Sequence, residues 1–489
     1  MSFQMPMRSI RFNAVMNGIK TISSMIFPLI TFPYVSRILG PEGTGKINFA
    51  WTFVGYFVLV ATIGIPYYGV REIARIRDER DRMADLTQEL LVLHLGASLI
   101  ATLAFFFAVF VSGKLAQEPS LYLVVGTSIL LSAAGMEWLY QGREEYAYIT
   151  TRSLLFSVVS MGALFLFVHG KGDYVIYAAI GVAASLGSCI MNFWNARSII
   201  SSKRSSPWQF RRHFGFIGTV YVMGLISSLY LSADVLFLGF MKDDRQVGIY
   251  SASTKLTKLV ATLIASAGAV LMPRLSYYAE KGMDMEYRRT LGKSIAVTLL
   301  FSLPCVAGLV LLSREIIAVF AGHQYAESAH CIVITAPVIL LSSISNILAW
   351  QVLYPKSGER KILVAMIAGA VVACFLNFFL VRVWGYSGAA FALFFSEVAV
   401  FIFLWIPSRS GLEGAGILRS CASPFLATIG MLVFLLLLRI WNLGNFSHLA
   451  VGVAGGGVVY MGILLLLKDP LAQELKELVF KRFGKAVGA

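Results

Sequence analysis

Apolar residues run along this chain in blocks of about twenty, separated by short polar connections. A helix rises 1.5 Å per residue, so such a block matches the thickness of a bilayer's hydrocarbon core. Fourteen spans are predicted, at roughly 17–39, 47–70, 87–112, 121–140, 150–169, 174–197, 214–239, 247–271, 291–312, 330–353, 362–381, 386–406, 419–439 and 447–467. The seventh is the least apolar, and the eighth carries lysines. The pattern predicts an all-α polytopic membrane protein. Prolines fall inside several spans: Pro28 and Pro33 in the first, Pro66 in the second, Pro304 in the ninth and Pro337 in the tenth. Each removes a helix hydrogen bond and permits a kink, and the first span is the one most expected to bend.

The connections carry a second pattern. Arginine and lysine collect on one side: Arg8, Arg11 and Lys20; Arg71 to Arg82; Arg143 and Arg152; Arg197 to Arg212; Arg274 to Lys293; Lys356 to Lys361; Arg409 and Arg419; and the tail from Lys468 to Lys485. The other side holds only Lys46, Lys114, Lys171, Lys242, Arg245, Arg314, Arg382 and Arg439. Cytoplasmic loops accumulate such charge, so both termini are expected in the cytoplasm, which requires an even number of spans. The N-terminal helix lacks a small-residue cleavage site and reads as a retained span. Leu471, Leu475, Leu478, Val479 and Phe483 recur at helical spacing among basic residues, as in an amphipathic helix lying on the inner leaflet.

A repeat is visible. Ile38-Leu39-Gly40 closes the first span and Phe237-Leu238-Gly239 the seventh; Gly45 and Gly248 open the spans that follow. Arg71 and Arg274 sit at the exits of the second and eighth spans, and Tyr140 and Tyr354 at those of the fourth and tenth. The expected organisation is two six-helix lobes, 1–212 (spans 1–6) and 213–410 (spans 7–12), around a central cavity. Two extra C-terminal helices and the basic tail occupy 411–489. Parallel repeats of this kind build transporters.

Composition agrees: 57% of the 489 residues are hydrophobic and 14% charged. The net charge of +15 belongs to the loops of a membrane protein and does not imply nucleic acid. The five cysteines, Cys189, Cys305, Cys331, Cys374 and Cys421, are scattered and suit neither a disulfide framework nor a metal site. His94, His169, His323 and His330 show no metal spacing, and no cofactor or catalytic constellation is expected. Gly40-Pro-Glu-Gly-Thr-Gly-Lys46 matches a phosphate-binding loop, but Ile47 stands where a Mg²⁺-binding hydroxyl belongs and no strand precedes it. A tight turn between two spans is the better reading, and transport would draw on an ion gradient, the membrane potential or the substrate's own gradient.

Candidate chemistry centres on Ser232 to Thr262. Asp234 lies in one apolar run, and Lys255 and Lys258 in the next. Ionisable groups at membrane depth cost about 2.5–3.5 kcal/mol on insertion scales and need a partner or a watery cavity. Ser251, Lys255, Lys258 and Thr262 share one helix face. Two readings are open: a hydrated cavity for an anionic substrate or coupling ion, and an ion pair between Asp234 and the lysines that locks two helices. Arg37 can snorkel or face a cavity. Glu397, central in the twelfth span, is a candidate ion-coupling or gating acid beside Asp234. Glu137 is expected to pair with Arg143 or Arg71. Arg71, Arg75 and Arg274, at the inner mouths of the second and eighth spans, can bind a pyrophosphate bidentately or simply serve the charge bias.

Phe32-Pro-Tyr-Val-Ser-Arg-Ile-Leu-Gly-Pro-Glu-Gly-Thr-Gly-Lys-Ile-Asn-Phe-Ala50 and Gly64-Ile-Pro-Tyr-Tyr-Gly-Val-Arg-Glu-Ile-Ala74 resemble the start of Wzx-type polysaccharide-unit flippases. Asp234-Val-Leu-Phe-Leu-Gly239, Val247-Gly-Ile-Tyr-Ser-Ala252 and Leu271-Met-Pro-Arg-Leu-Ser276 resemble landmarks of that family's second half. The family belongs to the multidrug/oligosaccharidyl-lipid/polysaccharide exporter superfamily. The resemblance implies a cationic cavity lined or gated by Arg37, Asp234, Lys255 and Lys258. It also implies alternating access and an undecaprenyl-pyrophosphate-linked oligosaccharide substrate carried to the outer leaflet. H⁺ or Na⁺ coupling, contacts with membrane lipids and partnership with glycan-assembly proteins accompany that expectation.

Within the same fold, a peptidoglycan lipid-precursor flippase and a cation-coupled drug exporter compete. From another class, a membrane glycan polymerase or ligase handles the same lipid, but such enzymes need a sizeable outer loop and none is present.

Overall fold

A computed structural model describes residues 9–200, 203–269, 271–412, 417–441, 443–474 and 476–477. Its principal helices are α1 (Ile10–Thr62), α2 (Ile65–Ile76), α3 (Arg80–Val111), α4 (Pro119–Gly135), α5 (Glu137–Gly142), α6 (Tyr146–Phe167), α7 (Tyr174–Ile200) and α8 (Phe214–Met241). They continue as α9 (Asp244–Ala269), α10 (Met272–Glu280), α11 (Asp284–Leu311), α12 (Ser313–Phe320), α13 (Ser328–Ile347), α14 (Glu359–Leu412), α15 (Ile417–Leu438) and α16 (Asn445–Leu466). No strand occurs among the described residues.

Eleven segments among the described residues are long and apolar enough to cross a membrane. Two of them hold a pair of predicted spans each. α1 is broken at Gly40, with φ 67°, and α14 at Gly385, with φ 54°. A left-handed φ costs glycine little, and Pro41 then restarts the helix at a position where its missing N–H is no loss. Gly40 thus makes the turn expected between the first two spans, in the segment that mimics a phosphate loop, whereas Pro28 and Pro33, where the first span is expected to bend, lie within α1 with helical backbone angles. The predicted eighth span is α9, too polar to meet the same criterion.

The predicted boundaries differ from the structure at three breaks. The second span is not continuous over 47–70: Ile63 and Gly64 adopt φ 46° and 76°, and Pro66 stands in the first turn of α2 rather than inside a helix. The fourth, 121–140, is interrupted at Met136, with φ 40°, so that Glu137 opens the short helix α5. The tenth leaves α-geometry after Ile347 and winds as a π-helix from Leu348 to Leu353. Hydropathy sees none of these breaks, because each falls within a block whose average stays apolar.

The chain forms two compact units, Met1–Gly248 and Ile249–Ala489. In the first, Ile65 and Ile73 of α2, Leu90 of α3 and Trp138 and Tyr140 of α5 make a buried core. Glycines allow one backbone crossing: a Cβ on Gly45 would lie 1.7 Å from the Asp244 carbonyl oxygen, and one on Gly248 1.9 Å from that of Pro41. The two glycines that open the second and eighth spans thus meet each other. Beside them Glu118 accepts from Lys46 Nζ at 2.7 Å and from the Tyr174 hydroxyl at 2.6 Å. The segment before α8 is fastened to α3. Glu89, wholly buried, receives Arg204 and Arg212 at 2.8 Å, His213 at 2.9 Å and the Gln209 N–H at 2.9 Å.

In the second unit α11, α15 and α16 share a core of Leu300, Met431, Leu435 and Leu464, with the Tyr460 hydroxyl donating to the Leu300 carbonyl at 2.8 Å. Asp469 accepts from the N–H groups of Leu471 and Ala472 at 2.9 and 3.1 Å, capping the start of the tail. Lys293 pairs with Glu474 at 2.7 Å. Of the predicted amphipathic stripe, Leu475, Leu478, Val479 and Phe483 lie outside the described residues. Cys189, Cys305, Cys331 and Cys374 are free thiols.

Candidate functional site

The polar stripe of α9 forms as its spacing requires. Lys255, Lys258 and Thr262 are exposed and Ser251 is half-buried, while Ala252, Ser253, Leu256 and Thr257 on the opposite face are buried. Thr262 returns its hydroxyl to the Lys258 carbonyl at 2.7 Å. Asp234 is buried in α8 and accepts from the Val235 N–H at 2.9 Å. Glu397 is buried in the second half of α14. Arg37 is exposed on α1 and donates to the Pro33 carbonyl at 3.4 Å.

Arg71 and Arg75 both engage Glu72, at 2.7 and 3.2 Å, and the Arg71 guanidinium stacks 3.6 Å above the Phe216 ring. Arg274 is exposed in the first turn of α10.

One expected pairing is corrected. Glu137 pairs with neither Arg143 nor Arg71; it binds Lys20 directly and lies 3.8 Å from Arg152 Nη2. Arg143 is taken by Glu145 at 2.8 Å. Burial raises the pKa of Glu145, which lies outside the membrane-spanning segments, against the pull of that arginine. The break at Met136 explains the change. It ends α4 early and sets Glu137 at the head of α5, beside α1 and α6.

This cluster borders a cavity of about 870 Å³ inside the first unit. Lys20, Glu137, Gln141, Arg152 and Asn192 line part of its wall. Gln141 donates to Glu137 at 3.4 Å, and Arg152 donates to the Asn192 side chain, whose amide in turn donates to the Gly135 carbonyl. The Tyr140 hydroxyl fixes the Asn192 carbonyl at 2.5 Å. Sequence reading placed Lys20 and Arg152 among loop charges and missed the cavity. The available signal was the run of serines at helical spacing in the fifth span. No cluster of three or more metal-ligating side chains occurs among the described residues.

A family model described as polysaccharide biosynthesis protein matches residues 11–279. The chain belongs to the polysaccharide biosynthesis protein family. This family member is 24% identical over 403 residues, 80% of its own length and 95% of the relative's, to the "Putative O-antigen transporter" of Escherichia coli K12. It is 21% identical over 460 residues to the "Probable low-salt glycan biosynthesis flippase Agl15" of Haloferax volcanii, covering 93% of this chain and 94% of that one. Among solved structures, lipid II flippase MurJ in an inward closed conformation superposes with TM-score 0.76 at 15% identity, over 94% of this chain and all of that one. An inward-facing multidrug resistance MATE transporter gives 0.64 at 14% identity, over 82% and 98%. The expected superfamily fold is therefore present. Relatives that are transporters and flippases agree with the reading of this multi-pass membrane protein as a flippase rather than an enzyme.

Proposed function

We propose that this protein moves an undecaprenyl-pyrophosphate-linked oligosaccharide, such as an O-antigen or exopolysaccharide repeat unit, from the cytoplasmic to the outer leaflet of a bacterial inner membrane. The two six-helix halves alternate access, the fourteen spans leave both termini in the cytoplasm, and an ion gradient or the membrane potential supplies the drive. The observation that carries the reading is the exposed pair Lys255 and Lys258 on an otherwise membrane-compatible helix. Two cations held out from a buried helix face suit a pyrophosphate headgroup, which as an anion cannot cross hydrocarbon unaccompanied. Arg37 and Arg274 add exposed positive charge, while Arg71 and Arg75 are partly neutralised by Glu72 and contribute less. Asp234 and Glu397, both buried acids, are the coupling or gating groups. Glycan-assembly proteins are expected at the cytoplasmic loops.

Replacing Lys255 and Lys258 together by alanine tests the reading. Surface glycan is expected to disappear while the protein still inserts at wild-type abundance, because both side chains are exposed and no core is disturbed. Normal glycan in that variant contradicts it.

A further inference from the structure

The cavity of the first unit is built for more than a structural ion cluster. Away from Glu137 its walls are hydroxyl-rich. Ser153, Ser157 and Ser160 succeed one another on α6, covering about 10 Å of helix axis at 1.5 Å per residue. Ser128 and Ser132 on α4 face the same space, as do Ser185 and Ser188 on α7. Three helices thus turn a serine stripe toward one cavity. Ser128, Ser132 and Ser185 donate to carbonyls of their own helices at 2.6, 2.6 and 3.1 Å, which leaves their oxygens as acceptors.

The wall also carries unmet hydrogen-bonding capacity. His94 is 2% exposed, lines the cavity, and has no partner on either ring nitrogen among the described residues. Arg152 Nε and the Trp138 indole N–H, on two other lining residues, are likewise unpartnered. A buried polar group left unmet costs about 1–3 kcal/mol, so several at one cavity imply that something supplies the missing bonds. The two cations are already engaged, Lys20 by Glu137 and Arg152 by Glu137 and Asn192. The lining therefore asks for a ligand that both donates and accepts at many points and has modest charge.

We infer that this cavity is a saccharide subsite, taking one or two hydroxyl-rich sugar residues of the transported glycan. A pyranose offers each hydroxyl as donor and acceptor, matching serine oxygens on one wall and unmet N–H groups on another. The volume is within the range of sites for small organic ligands. The inference rests on the flippase reading, and it gives the first unit a task of its own, holding sugar.

The test uses three variants of the full-length protein. Ser157→Phe fills the cavity. Ser153→Ala, Ser157→Ala and Ser160→Ala together remove hydroxyls without adding bulk. Val158→Phe, at an outward-facing neighbour, controls for an added ring. The probe is the reducing oligosaccharide released by mild acid from the cells' own lipid-linked pool, titrated calorimetrically against purified protein in nanodiscs. Wild type and Val158→Phe bind it. The triple-alanine variant binds about tenfold more weakly, as expected for losing hydrogen bonds worth about 1 kcal/mol each and partly replaced by water, and Ser157→Phe does not bind. Export follows the same order at equal membrane abundance.

Wild-type protein that binds no oligosaccharide overturns the inference and leaves the cavity to water. Loss in Ser157→Phe with full binding and export in the triple variant also overturns it, as overpacking alone. A deletion strain distinguishes the two levels. If it accumulates lipid-linked repeats on the cytoplasmic face while both cavity variants export normally, the subsite fails and the flippase reading stands. If nothing accumulates, the flippase reading itself fails.

Discussion

Arg152 joins two parts of the first unit that share little sequence proximity, the acid at the head of α5 and the amide in the middle of α7. Removing it leaves the buried Asn192 side-chain oxygen without its donor and Glu137 with Lys20 as its remaining cation. Arg152→Ala should lower stability by about 1–3 kcal/mol, read as a reduced unfolding temperature in detergent. Arg152→Lys should recover only part, because an ammonium cannot span two partners as a planar guanidinium does. Glu118 gives a pH prediction. Burial pushes its pKa up, but the hydrogen bonds from Lys46 and Tyr174 and the Lys46 charge outweigh burial and hold it below the ordinary value of 4.5. A carboxylate depressed in the fold contributes stability that is fully present above that value and is lost as pH falls through the lowered one. Thermal stability should drop on acidification below about pH 4.5, and Glu118→Gln should flatten that part of the profile. At this scale the sequence was informative where spacing sufficed. The face shared by Ser251, Lys255, Lys258 and Thr262 follows from helical geometry alone. The partner of Glu137 did not, because it depends on a left-handed residue at Met136 that no local propensity announces.

The helices show the same division. Long apolar blocks were legible because hydrophobic length dictates a spanning helix whatever its neighbours do. The breaks at Ile63–Gly64, at Met136 and after Ile347 were not, since each sits inside an apolar block and is imposed by packing. Gly40 was readable as a turn because glycine followed by proline both permits a positive φ and restarts a helix. The pairing of Gly45 with Gly248 gives this scale its prediction. A Cβ at Gly45 overlaps backbone, which cannot rotate away as a flexible side chain could. Gly45→Val should therefore cost at least about 1–3 kcal/mol, seen as lower membrane abundance or unfolding temperature, with Gly45→Ala intermediate. Wild-type stability in the valine variant would mean that the two helices can separate freely at this crossing.

For the molecule as a whole, membrane character and superfamily were legible because both are written in composition and in motifs carried by short stretches of chain. The cavity of the first unit was not, because its wall is assembled from residues of all seven helices α1 to α7 and only the fold brings them together. The central claim is that the chain carries a lipid-linked glycan across the membrane, and the most direct measurement is made in a strain lacking it. Undecaprenyl-linked glycans are isolated, and the membrane face that holds them is determined with an impermeant sugar-modifying reagent. The account predicts complete repeat units trapped on the cytoplasmic face and released by the wild-type gene but not by the Lys255→Ala, Lys258→Ala variant. Repeat units accumulating on the outer face, as a missing polymerase or ligase would leave them, would contradict it.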